Sequence, residues 1–163
     1  MTTLVRSTNR FLELISGDEK IVIGETNGDV TIAIAGAVFD GWLDPDFRKD
    51  KINVKGQPTK DTVVQVFELI KDAKITDVLG GFGKNLDYLV LTQHQIVEFV
   101  RDNKKTWIHG DGWVTCFLFK TRDEFLLARV CRFDQVFDVY VSNLSCDYVW
   151  PASHRSRFVV PQL

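Results

Sequence analysis

Asn27-Gly28 lies inside "KIVIGETNGDVTIAIAGAVF", residues 20–39, between two runs rich in β-branched side chains. Asn-Gly is the dipeptide best suited to a two-residue turn with positive φ, so the segment predicts a β-hairpin. An antiparallel pair near the start of the chain must find further strands or helices to cover its apolar face.

Three segments carry helical periodicity. Residues 7–16, "STNRFLELIS", place Phe11, Leu12 and Ile15 on one face, with Ser7 or Thr8 as cap and Gly17 as stop. In "DTVVQVFELIKDAK", 61–74, Val63, Val66, Phe67 and Ile70 follow the i, i+3, i+4, i+7 pattern of an amphipathic helix. Thr92 with Gln95 has the capping-box form, and the helix it opens runs to about Asn103 with Ile96, Phe99 and Val100 inward.

Strand signals fill the remainder. "INV" (52–54) reads as a brief strand and "LDYLVL" (86–91) as a longer one. In "WIHGDGW", 107–113, Gly110, Asp111 and Gly112 read as a hairpin loop joining "TWIHG" to "WVTCFLFK". That register puts Trp107, His109, Trp113, Phe117 and Phe119 on one face and Ile108, Val114, Cys116 and Leu118 on the other. "TRDEFLLARVCRF", 121–133, fits a strand returning through an Arg-Asp turn better than the helix that Thr121 and Glu124 could cap. Read as a helix, it would give 86–143 the β-α-β-β-α-β order of a split ferredoxin-like fold. "GDGWVTCF" departs from the base-stacking strand of that class at His109, Asp111 and Cys116, so no family is assigned on it. The last strand is 136–144, and the tail from Tyr148, with Pro151 and Pro161, is expected to wrap an edge. The expected fold is α+β: a mainly antiparallel sheet of five to seven strands with two or three packed helices, in one domain spanning 1–163.

Composition narrows the function classes. Twenty Lys and Arg face 22 Asp and Glu, a net charge of −2, without the basic stripe of a dedicated nucleic-acid protein. Hydrophobic residues make up 45%, enough for a real core and too many for a disordered tail. The opening twenty residues hold no apolar run of signal-peptide or membrane-span length, so the expected setting is cytoplasmic with no membrane contact. Cys116, Cys131 and Cys146 form no CxxC pair and read as reduced, buried thiols.

Motifs for chemistry fall short. "VLGGFGKN", 78–85, lacks the first Gly and the final Ser or Thr of a phosphate loop. Asp40, Asp44 and Asp46 crowd "FDGWLDPDF" without the alternating ligands of a calcium loop. His94, His109 and His154 are far apart, and no catalytic signature joins them. No catalytic residue, metal ligand or cofactor is assigned. The expected function is that of a small intracellular binding or regulatory protein, with a protein as partner ahead of nucleic acid. Its contact surface is expected around residues 107–119 and the tail, carried by Trp107, His109, Trp113, His154, Arg155 and Arg157, with Lys104 and Lys105 adding to a basic patch. The rivals are a hydrolase or nuclease whose carboxylates converge only in three dimensions, and a single-stranded nucleic-acid binder on an aromatic platform.

Overall fold

The structure, a computed structural model, describes residues 9–110, 112–145 and 147–162. Its strands are β1 (Leu12–Leu14), β2 (Ile21–Ile23), β3 (Thr62–Leu69), β4 (Ala73–Lys74), β5 (Val114–Thr121), β6 (Glu124–Phe133), β7 (Val136–Asn143), β8 (Val149–Trp150) and β9 (Arg157–Pro161). Two α-helices, α1 (Ile75–Gly80) and α2 (Gln93–Asn103), complete the regular elements together with short 3₁₀ turns. The fold is α+β, as expected, with a mostly antiparallel seven-stranded sheet.

The sheet runs β1-β3-β9-β5-β6-β7, with β2 also on β3. β1 and β2 share one edge of β3: Leu12–Leu14 pair with Phe67–Leu69, and Ile21–Ile23 pair with Thr62–Val64. β5, β6 and β7 form a meander whose two-residue loops each begin in the left-handed region, at Arg122 (φ 43°) and Asp134 (φ 60°). β9 enters between the two halves, antiparallel to β3 and parallel to β5, so the sheet is mixed. The tail expected at an edge thus supplies a central strand.

Both faces of the sheet are buried. Toward one face point Val64, Val66, Phe117, Phe119, Leu126, Ala128, Val130, Val139 and Val159, covered by α2 and the 30–52 segment through Phe39, Phe47, Ile96 and Phe99. Toward the other point Phe67, Leu69, Cys116, Leu118, Leu127, Phe158 and Val160, covered by α1 through Ile75, Val78 and Leu79. A strand covered on both sides reads as a near-continuous apolar run. That explains why 61–74, expected as a helix, holds β3 and β4 instead. Val64 and Val66 face one core while Phe67 and Leu69 face the other, and Ile70, which the helical pattern turned inward, is exposed.

Other expectations also give way. Residues 12–14 of the expected first helix are β1, and its caps Ser7 and Thr8 lie outside the described residues. Residues 52–54 form no strand, and Leu86–Leu89 is a 3₁₀ turn rather than a strand. Asn27-Gly28 forms a bend rather than the expected two-residue hairpin turn: of the two, Gly28 alone has positive φ, and the bend joins no hairpin. β2 pairs with β3, and beyond the bend the chain forms a 3₁₀ turn at Ile32–Ile34. The Asn27 side chain accepts from the Asp29 amide, Gly28 has φ 80°, and its carbonyl accepts from the Gly56 amide. A Cβ on Gly28 would meet the carbonyl oxygens of Gly56 and Gln57, the latter at 2.7 Å. Gly28→Val therefore combines backbone strain with a backbone clash and should cost at least ~2 kcal/mol. A urea midpoint equal to wild type would contradict this placement.

α2 forms as its sequence dictates. Thr92 Oγ1 accepts from the Gln95 amide, Gln95 Oε1 accepts from the Thr92 amide, and Ile96, Phe99 and Val100 are buried. On its first turn, burial lowers the His94 pKa, the Arg101 guanidinium lowers it further, and Asp29 opposes them. A base whose folded pKa lies below its unfolded value favours folding while neutral. That contribution is complete above the unfolded value of 6.5 and is lost as pH falls from there through the depressed folded pKa. The melting temperature should drop between pH 7 and 5, and by less in His94→Gln. Equal drops in both proteins would remove His94 from the account.

Candidate functional site

The sequence placed its contact surface on one sheet face, and the structure splits it between two. Residues 104–108 are turns, not a strand, and β5 pairs with β6 and β9. The glycine turn exists: the Trp113 amide donates to the Gly110 carbonyl, the Gly112 amide to the Arg132 carbonyl, and Gly112 has φ 81°. It does not join a paired hairpin, and Asp111 lies outside the described residues. Trp107 packs against the core face that also takes Ile108, Phe117 and Phe119. Its carbonyl accepts from Arg157, whose Nε also lies 3.5 Å from Glu68 on the neighbouring strand. The His109 amide donates to Thr115 Oγ1. Trp107 and Arg157 thus tie the 104–108 turns to the sheet rather than forming an open platform.

Trp113 goes the other way. It is 40% exposed and stacks on His154, with centroids 3.9 Å apart and planes 17° from parallel. The two rings stand over a cleft of about 520 Å³ on the α1 side of the sheet. Its floor is Val114 of β5, Leu127 and Arg129 of β6, and Ser142 and Asn143 of β7. Its wall is Tyr148 and Trp150, with His154 and Ser156 beyond. The volume suits a ligand pocket, and the lining is aromatic with a few polar groups.

The wall is set by the tail. β8 pairs with β4, Ala73 with Trp150 and Lys74 with Val149, and the Ala152 amide donates to Asp72. Trp150 also packs against the core through Phe158, centroids 6.1 Å apart. The 3₁₀ turn Ala152–His154 then carries His154 back over Trp113, closed by Arg155 in the left-handed region. Arg155 itself is exposed and does not line the cleft.

Arg129 was not among the residues singled out from sequence. Strand alternation puts it with Leu127 on the cleft side of β6. Its guanidinium lies 5.6 Å from the Tyr140 ring centroid, it forms no ion pair among the described residues, and its Nε is buried without a hydrogen-bond partner. Tyr140 donates to Asp138, and burial first, then Asp138, pushes its phenol pKa up, so the ring stays neutral beneath the guanidinium. A lone Arg inside the apolar run "FLLARVC" was the legible signal.

The remaining candidates have structural duties. Asp40 accepts from the Phe137 amide, Asp44 from the Val141 and Asp46 amides, and Asp138 from the Trp42 amide. The acidic loop thereby caps the open edge of β7, where unpaired amides would otherwise invite another strand. Among the described residues no group of three His, Cys, Asp or Glu side chains is placed to hold a metal ion. Burial raises the pKa of both Cys116 and Cys131, keeping these free thiols protonated, and Cys146 lies outside the described residues. Lys104 lies over the Phe137 ring, 5.4 Å from its centroid. No helix among the described residues is long and apolar enough to cross a membrane. Comparison with protein-family models, curated proteins and solved structures gives no match.

Proposed function

We propose that this chain is a binding protein that takes a protein partner at the Trp113–His154 cleft. The supporting observation is the stacked pair itself. Two rings that could have packed into the core instead stand together at the mouth of a cavity, one of them 40% exposed. Large aromatic side chains held rigid at a concave, half-buried site supply contact area at small entropic cost, which is how binding anchors work. The contact surface expected from sequence is thereby reduced to Trp113, His154 and the tail that carries His154. Trp107 and Arg157 support the fold.

The test is a thermal-shift screen with a collection of small aromatic fragments on wild type, Trp113→Ala and His154→Ala. Fragments that raise the wild-type melting temperature should lose most of that effect in both variants. Fragments that stabilise all three proteins equally would place recognition elsewhere. Trp113→Ala itself should cost only ~1 kcal/mol, because the ring is half exposed.

A further inference from the structure

We infer that the group entering this cleft is the aromatic C-terminal residue of a polypeptide, its carboxylate held by Arg129 and its ring by Trp113 and His154. This rests on the cleft being the binding site. Three observations specify the ligand. Arg129 carries a fixed positive charge on the cleft floor with no ion pair among the described residues and a buried, unpartnered Nε. A buried guanidinium N–H without an acceptor is costly, and a carboxylate is the planar acceptor that matches it. Among the described residues no Asp or Glu lines the cleft, and Asp138, on the neighbouring strand, is engaged by the Tyr140 hydroxyl and the Trp42 amide, so one Arg is left to balance a monoanion.

The second observation is spacing. Cys116 lies opposite Arg129 in the β5–β6 register, and Trp113 is three residues before Cys116. Two strand steps from Val114 to Cys116 make about 7 Å, and Trp113 stands in the turn just before them, so long side chains reach across from both ends. The space between suits one residue bearing both a ring and a carboxylate. An Asp or Glu side chain brings the carboxylate but leaves the aromatic wall empty. The third is access. Tyr148 at the rim is 56% exposed and Trp113 40%, so a chain can leave toward solvent after its last residue is seated.

The experiment uses fluorescein-labelled Ser-Gly-Ser-Gly-Trp as free acid and as C-terminal amide, titrated with the full chain by fluorescence anisotropy. The free acid should bind at least about tenfold more tightly than the amide, the worth of one charge-assisted pair. In Arg129→Gln the two peptides should bind alike, at the wild-type affinity for the amide. Trp113→Ala should weaken both. Acid and amide binding equally to wild type, both weakened by Trp113→Ala, would overturn the carboxylate inference and leave the cleft reading standing. Preference for the acid that persists in Arg129→Gln would overturn the role of Arg129. No binding of the free acid up to millimolar protein would overturn the inference outright, while the fragment screen judges the cleft independently.

Discussion

A chain ending at Ser156 should not fold. Among the described residues β9 is the only link in the sheet between β3 and the β5–β6–β7 meander. Its Phe158, Val159 and Val160 are each at most 3% exposed, and they reach both cores. At ~1.5–3 kcal/mol per buried side chain, their loss removes about 5–9 kcal/mol, comparable with the whole stability of a domain this size. Two strand edges would also be left open. The truncated chain should show neither a cooperative urea transition nor dispersed amide resonances. A retained cooperative transition would mean that the meander or the N-terminal half folds alone, and that β9 is an addition rather than a keystone.

Phe117→Ala should be the most damaging single substitution short of truncation. The ring is fully buried on the central strand β5 and meets Phe99 of α2 edge-on, centroids 5.5 Å apart. It is one of the contacts, with those of Ile96, Val97 and Val100, through which the helix sits on the sheet. Emptying that volume should cost ~3–5 kcal/mol, because rings from two elements cannot both move in to fill it. The urea midpoint should fall with little change in slope. A cost near that of Trp113→Ala would mean the α2 side of the sheet is loosely packed.

The sequence was legible where one face of an element meets water. α2 has a polar face, a clear apolar stripe and a capping box, and it forms at the expected place. β6, covered on both faces, was read as a strand through its Arg-Asp turn, and the strand expected at 136–144 forms at Val136–Asn143. β3 was mistaken for a helix because Val64, Val66, Phe67 and Leu69 are buried on alternating sides, and that pattern cannot be told from a buried helix by spacing. A change of direction at Asn27-Gly28 was legible, but not that it is a bend rather than a hairpin turn, and its local chemistry says nothing of which strand β2 finds. That partner comes from about forty residues away. Nor does "RFVVP" announce a central strand, since five residues look the same at an edge.

The candidate site was half legible for the same reason. Trp113 and His154 were both singled out, but nothing local foretells that a turn at 152–154 would stack one ring on the other. The expected register placed Trp113 with Phe117 and Phe119, which assumed that strand alternation began at Trp107. β5 begins only at Val114, and the glycine turn before it sends Trp113 to the opposite face from Trp107. Arg129 needed the knowledge that both faces of β6 are covered. Only then does a lone cation in an apolar strand stand out.

That separation of the two tryptophans supplies the most direct test of the binding reading. Indole N–H resonances, assigned by substitution, can be followed by NMR while the wild-type chain is titrated with the aromatic fragments that stabilise it. The cleft reading predicts that the Trp113 indole resonance shifts with saturation while that of Trp107, packed on the far face of the sheet, stays in place. A saturating shift at Trp107 with Trp113 unmoved would contradict it.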